Sequence, residues 1–434
     1  MRQLPLIVIL FGLWPSFSFA NNAAFYALLD RKTEDIEGKV IAWRRDIHQF
    51  PELSNREFRT AKKVADHLRS LGMEVQTEVA HTGVVALLRG KKAEPVVALR
   101  ADMDALPVVE NTGLPFASKV KSTYNGQEVG VMHACGHDAH VAILMGVAEI
   151  LASVKDQLPG TVKFIFQPAE EGAPAGEEGG AELMVKQGVM ENPKVDVTFG
   201  LHVSSQSPLH TITYRPGGLM ASSDKFEILV RGKQSHGASP WHGVDPVVVA
   251  AQIVLGLQTI TSRQMDLTRA PTVVSVGSIQ GGVRNNIIPN EVKMIGTIRA
   301  LDDAMRRDIH ERVKRTATLI AESAGATAEV SIDLGYGITY NDPSLTQQVL
   351  PTLKRVTGTE RVVQIPPITG AEDFSFYAQE APGFFFFLGS LSPDTPAEEA
   401  PGHHTPEFVI DEASFTTGVR AMLHLTLDYM NAAQ

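Results

Sequence analysis

Two side chains with metal-binding chemistry stand two positions apart, about a third of the way along the chain. Cys135 is the only cysteine in 434 residues, and His137 follows it within the segment MHACGHDAH, residues 132–140. Gly136 separates them, and Asp138 and His140 come just behind. An apolar pattern then begins at once with Val141, Leu144, Met145, Ala148 and Leu151, the spacing of one helix face. The pair is therefore expected in a turn feeding a helix N-terminus, where backbone N–H groups and the helix dipole favour a thiolate. Thiolate sulfur and imidazole nitrogen are the usual donors to zinc and similar borderline metals. A lone cysteine is more often an inert small core residue, so a metal site needs further donors from elsewhere in the chain.

The chain supplies them at turns and strand ends. Glu170-Glu171 follows the run TVKFIFQ, His202 ends VDVTFGLHV, and His403 and His404 stand together in GHHTPEF. Cys135, His137, Glu171, His202 and one of His403 or His404 make five donors, enough for two metals if some bridge or chelate. Glu170 is then left over. A carboxylate beside a metal-activated water is what hydrolysis needs, because the metal lowers the water's pKa and the carboxylate takes its proton. On an extended backbone adjacent glutamates point to opposite sides, which implies one ligand and one base.

The elements that must hold these groups follow from periodicity. Residues 56–71 read as an amphipathic helix stopped by Gly72. VVALLRG (84–90), VVALRADMD (96–104), TVKFIFQ (161–167), VDVTFGLHV (195–203) and FFFFLGS (384–390) read as buried strands. With helices expected over 137–151, 181–187, 343–356 and 412–429, this is α/β alternation with a largely parallel sheet. Pro351 is expected to kink or break its helix. Ligands gather at the C-terminal ends of strands in such sheets, where Asp104, Glu170, Glu171 and His202 fall. Between them the rhythm changes. A strand (223–233), a helix opened by Asp245-Pro246, two strands (271–282, 292–301), a helix (303–323) and a strand (327–335) give β-α-β-β-α-β, the ferredoxin-like split motif. Residues 215–333 thus read as a domain inserted into one formed by 21–214 and 334–434.

The ordered segments LRADMDALPV, MHACGHDAH, QPAEEG, GLHV, SHGASPWHGVDP, NNIIPNE, GTIR, GAEDFSFY and HHTPEF resemble the dinuclear metal-dependent amidohydrolases of the hippurate hydrolase and auxin–amino acid conjugate hydrolase type, relatives of aminoacylase and glutamate carboxypeptidase. The resemblance covers nearly everything after the first twenty residues. It implies a zinc-peptidase-like α/β catalytic domain with an inserted ferredoxin-like (α+β sandwich) dimerisation domain. By the same resemblance Cys135, His137, Glu171, His202 and His404 are metal ligands, His404 being the one that directly precedes a small residue and proline. Glu170 is the general base, and Asp104 orients a ligand imidazole. His236 is presented to a partner subunit's site to stabilise the oxyanion, while Asn286 and Arg299 hold a substrate carboxylate. Many relatives carry a histidine ligand where this chain has Asp102. Two divalent ions per subunit are implied, zinc or manganese first, cobalt or nickel next. The implied reaction is hydrolysis of an N-acyl amino acid to a carboxylic acid and a free amino acid by a homodimer.

Bland roles stand beside these. His81, His210, His310 and His424 have no chemical neighbours in sequence and read as surface or structural. His140 is either a neighbour of the ligands or a helix residue, and His242 is a loop residue or a substrate contact. Glu372 and Asp373 cap a short helix or face the site, Asn286 is otherwise a turn residue, and Arg299 otherwise a surface ion pair. A net charge of −10 leaves no footprint for nucleic acid. A positive residue, the apolar run LPLIVILFGLW and small residues ending at Ala20 read as a cleaved export signal over residues 1–20, giving a periplasmic or secreted protein with no membrane anchor after cleavage. Rivals to the amidohydrolase are a metallo-carboxypeptidase or dipeptidase with the same machinery, a thiol hydrolase, and a metal-binding protein without catalysis. A thiol hydrolase needs a dyad that Cys135 and His137 are too close in sequence to form easily, and pure binding has no use for a spare glutamate.

Overall fold

The computed structural model describes residues 17–433. The expected export signal lies outside the described residues but for residues 17–20, which open helix α1 (Phe17–Gln49). α2 (Phe58–Ser70) follows, ended by Gly72 at φ +76°. Strands β1 (Glu74–Val79), β2 (Gly83–Arg89) and β3 (Val96–Asp102) come next. After α3 (His137–Ser153) the chain makes β4 (Thr161–Gln167), α4 (Gly180–Lys186), β5 (Val197–Pro208) and β6 (Ile212–Tyr214). The insert holds β7 (Asp224–Arg231), α5 (Pro246–Thr259), β8 (Thr272–Gly281), β9 (Glu291–Ala300), α6 (Asp303–Ser323) and β10 (Thr327–Asp333). The main unit resumes with α7 (Pro343–Thr357), β11 (Val362–Gln364), α8 (Ser375–Glu380), β12 (Gly383–Leu391) and α9 (Phe415–Ala432).

The large sheet runs β1-β2-β4-β3-β5-β12-β6-β11. Its middle four strands are parallel, and every residue of β3 and β4 is buried, so they read as near-continuous apolar runs. Register aligns their C-terminal ends: Asp102 pairs with Gln167, Arg100 with Gly200, and His202 with Phe387. The sheet is mixed at its flanks. β1 and β2 are joined by a turn of three residues, and only an antiparallel pair can be closed by so short a connection.

α3 is buried on all sides from His137 to Ala148, between the sheet, α1 and α9. α1 turns a stripe of Leu29, Thr33, Ile36, Val40, Arg44 and Ile47 inward. Its polar members hide the apolar period, so sequence gave no sign of this 33-residue helix. α7 continues through Pro351 without a break. Burial of Leu345, Val349 and Leu353 outweighs the cost of about 3 kcal/mol for an interior proline. No helix among the described residues is long and apolar enough to cross a membrane.

The insert forms one antiparallel sheet in the order β8-β9-β7-β10 with α5 and α6 packed on it, the ferredoxin-like arrangement. Asp245 accepts the Val247 N–H to open α5, and Gly325 at φ +75° follows α6. Residues 217–220 pair antiparallel with 339–341, so the chain leaves and re-enters the main unit side by side.

Candidate metal centre

The turn before α3 is tightly constrained. Gly136 has φ +98°, and a Cβ there would lie 2.2 Å from Val203 Cγ2, so only glycine fits between Cys135 and His137. The loop carrying the two histidines is tied to this turn, with the His404 N–H donating to Ala134 O at 2.8 Å. Across the sheet, Glu170 and Glu171 leave β4 through Pro168 and Ala169. Ala169 stands at φ +52°, which abolishes the extended backbone assumed above. Both glutamates therefore line the same cavity, instead of pointing apart.

Donors converge from four segments. Cys135 Sγ lies 3.3 Å from His202 Nε2, 3.3 Å from His404 Nε2 and 3.8 Å from His403 Nδ1. Glu171 Oε1 is 3.1 Å from His404 Nε2 and 4.0 Å from His137 Nε2. Glu170 Oε2 and Asp102 Oδ2 are 3.8 and 3.7 Å from that same His137 nitrogen.

Hydrogen bonds fix which ring nitrogens are free. His202 Nδ1–H donates to Val203 O at 2.6 Å, and His137 Nδ1–H to Asp104 Oδ1 at 3.2 Å, leaving both Nε2 lone pairs facing the site. His403 differs. Its Nε2 accepts the Ser205 N–H at 3.3 Å, which puts the proton of the neutral ring on Nδ1, the atom facing Cys135. His404 is thus the better ligand of the two. His140 clusters with Asp102 and His137, but both its ring nitrogens are engaged, Nδ1 with Asp102 at 2.5 Å and Nε2 accepting the Val203 N–H.

Asp104 accepts the N–H of Glu170 at 3.1 Å and of Glu171 at 3.0 Å as well as the His137 proton, so one carboxylate sets three groups. Buried Glu57 accepts the Ala169 N–H at 2.9 Å. Behind them Arg100, wholly buried, donates to Asp102, Glu372, Asp373 and Gln167, each at 2.8 Å. Glu372 also accepts the Phe374 N–H at 2.9 Å and lines the cavity, while α8 itself has no side-chain cap. Arg100 escaped the sequence reading, although a charge in the middle of VVALRAD was its signal.

The electrostatics describe a nest of negative charge. Burial raises the Cys135 thiol, and Glu171, Glu170 and Asp102 push it further. Burial, then Glu372 and Glu171, lift Glu170 well above the carboxylate range. Burial opposes protonation of His137, yet Asp102 and Asp104 outweigh it and raise the imidazole to about 10. Burial with His140 and His403 holds His202 well below its ordinary value. Asp102, Glu372, Asp373 and Glu170 surround the buried guanidinium of Arg100. His137 Nε2 and Glu171 Oε1 are buried without a hydrogen-bond partner. Orphaned donors and surplus negative charge both fit divalent cations.

These groups open on a cavity of about 670 Å³. Met220, Ile365, Ile368 and Phe387 form an apolar wall, and Arg299 reaches it from the insert. Burial lowers the Arg299 guanidinium, which makes no ion pair among the described residues. His236 and Asn286 do not reach this cavity. They are exposed together on a ribbon pairing 235–236 with 287–288, where the Gly237 N–H donates to Asn286 O at 2.9 Å. His242 is exposed beside Trp241. His81, His210, His310 and His424 all make contacts away from the site.

A model of the peptidase family M20/M25/M40 matches residues 98–428. Thermostable carboxypeptidase 1 of Saccharolobus solfataricus is 42% identical over 409 residues, covering 93% of this chain and 98% of the relative. An N-acetylcysteine deacetylase of Bacillus subtilis is 37% identical, over 90% of this chain and 96% of its own. Among solved structures, the YXEP protein of Bacillus subtilis, described as a dinuclear metal-binding peptidase from the M20 family, superposes with a TM-score of 0.77 at 34% identity, over 92% of this chain and 99% of that one.

Proposed function

This chain belongs to the peptidase family M20/M25/M40, and on that premise we propose that it hydrolyses the amide bond of N-acyl amino acids, releasing a carboxylic acid and a free amino acid. The observation that carries this reading is the meeting, around one cavity, of Cys135, Glu171, His202 and His404, with His137 behind them 4.0 Å from Glu171, beside a spare glutamate and an arginine that makes no ion pair among the described residues. Cys135, His137, Glu171, His202 and His404 are the ligands for two divalent ions, and a mixed set of thiolate, imidazole and carboxylate suits zinc or manganese. When bound, such a pair polarises a carbonyl and lowers the pKa of water.

The chain's own residues do the rest. Glu170 accepts the proton of the attacking water and returns it to the leaving nitrogen. Asp104 keeps His137 in its ligand tautomer. Arg299 pairs with the carboxylate of the substrate amino acid, and the wall of Met220, Ile365, Ile368 and Phe387 receives an uncharged acyl group. His236 and Asn286 act in the cavity of a second copy, His236 on the developing oxyanion. That reading makes residues 215–333 a dimerisation unit and the enzyme a homodimer. The exposed ribbon, together with the edge strand β8, supports it. Residues 1–20 direct export to a periplasm or beyond, which the intact mass of the mature protein tests.

Carboxypeptidase action on short peptides is the second reading, favoured by the carboxypeptidase named among the relatives. Chelated protein restored with zinc or manganese should cleave N-acyl amino acids faster than dipeptides, whose free ammonium group gains nothing from the apolar wall. Faster cleavage of dipeptides would reverse the order, and turnover without metal would overturn the reading.

A further inference from the structure

Tyr336 belongs to neither the ligand set nor the sheet, yet it grips the most sensitive stretch of backbone in the cavity. Its hydroxyl donates to Glu170 O at 2.6 Å. That oxygen and the Glu171 N–H belong to one peptide group, and the N–H is held at its other end by Asp104 Oδ2 at 3.0 Å. A peptide group is planar, so fixing its oxygen and its hydrogen from opposite ends fixes the plane. The plane's orientation in turn decides where the Cα–Cβ bonds of Glu170 and Glu171 point. The backbone itself adds only the long Gly172 N–H to Ala169 O bond at 3.4 Å, and Ala169 sits in the left-handed region that alanine disfavours.

The other anchors of this stretch, Asp104 and Glu57, come from the main unit. Tyr336 comes from the connection that returns from the insert, between β10 and the ribbon strand 339–341. Its carbonyl accepts the Ser223 N–H at 3.0 Å, where the chain crosses outward. The adjacent Gly335 N–H donates to buried Asp224, which also takes Arg306 and His310 of α6. A Cβ at Gly335 would lie 2.1 Å from Ser223 O, so the two crossings are packed as one piece. The Tyr336 ring meets Phe376 edge-on and lines the cavity.

We infer that Tyr336 is a positioning residue: from the crossing between the two units it clamps the Glu170–Glu171 peptide plane, so the aim of the base depends on how the insert is seated. This rests on Glu170 being the base. Removing only the hydroxyl, in Tyr336→Phe, leaves the plane held at one end. The expected result is a fall of about ten-fold in kcat, the worth of one hydrogen bond of about 1.4 kcal/mol. KM should change less than about two-fold and both metals should stay bound, because the Asp104 end of the clamp remains. The pH profile of kcat should also move. A merely structural tyrosine would lower the melting temperature and leave kcat and its pH profile alone.

Glu170→Gln is measured in parallel. Should it keep full activity, the base assignment itself fails. If instead Glu170→Gln is crippled while Tyr336→Phe keeps wild-type kcat and pH profile, the clamp is refuted and the base stands. The double variant separates them again. With the carboxylate gone, losing the hydroxyl should cost nothing further, and an undiminished ten-fold loss on that background would show that Tyr336 acts independently of Glu170.

Discussion

Arg100→Met tests whether the carboxylates behind the centre depend on one buried cation. Methionine keeps much of the volume and the apolar stem, so the change isolates the charge and its hydrogen bonds. Arg100 is 1% exposed, and its guanidinium donates to Asp102, Glu372 and Asp373 at 2.8 Å each. Removing one member of a buried pair costs about 3–5 kcal/mol, because the partner is left buried and unpaired. Asp102 retains His140, and Asp373 retains Gln167 and the Ala181 N–H, so compensation is partial and the expected loss stays in that range. It is a large share of the roughly 5–15 kcal/mol that stabilises an ordinary domain.

The sign with pH follows from the shifts. In the native protein burial opposes ionisation of Asp102, but Arg100, His137 and His140 hold it well below the carboxylate range. Its contribution is therefore present above its unfolded pKa near 3.9 and is lost only as pH falls towards the folded value. In the variant the charge that lowers Asp102 most is gone while His137 and His140 remain, so its folded pKa rises and the variant loses less stability than the native protein as pH falls. The gap between native and variant should narrow between about pH 8 and pH 5. Urea unfolding of the chelated proteins across that range, followed by tryptophan fluorescence, measures it. A loss under about 1 kcal/mol, or a gap that ignores pH, would refute the reasoning.

Glu170→Gln should keep its metal and lose turnover by at least about a hundred-fold, whereas Glu171→Gln should lose metal, as elemental analysis of the purified proteins will show. The opposite pattern reverses the assignment of base and ligand. Gly136→Ala should cost about 2–5 kcal/mol, combining left-handed strain with the clash against Val203, and should weaken metal retention; a thermal scan within a degree of wild type contradicts it. Glu170→Ala and His236→Ala, each nearly inactive alone, should regain activity when unfolded and refolded together, since a mixed dimer carries one intact composite site. No recovery in demonstrated heterodimers would place His236 outside the partner's cavity.

The donor set was open to reading because its members are rare residue types at turns and strand ends, and the caps at Asp245 and Gly325 fixed the rhythm of the insert. The aim of Glu170 and Glu171 was not, because it hangs on one left-handed alanine that no sequence rule flags. Nor was the difference between His403 and His404 derivable from residue types alone; it lies in the Ser205 N–H that occupies one ring nitrogen. Arg100 and its partners are spread across more than 270 residues of chain, and pairs so distant leave no local period. α1 was hidden by Thr33 and Arg44, polar residues on its buried stripe.

The order of the large sheet has a consequence for synthesis. β12, with its four consecutive phenylalanines, lies inside the sheet between β5 and β6, yet it leaves the ribosome after every other strand among the described residues. Until it arrives, β5 presents an unpaired edge of buried-type residues. The insert, contiguous in sequence and complete by residue 333, has all its strands before its host has this one. We expect the nascent chain to carry a folded insert tethered to an open half-sheet, a state prone to pairing with other chains. Truncation before Gly383 should therefore give an aggregating host beside a protease-resistant insert.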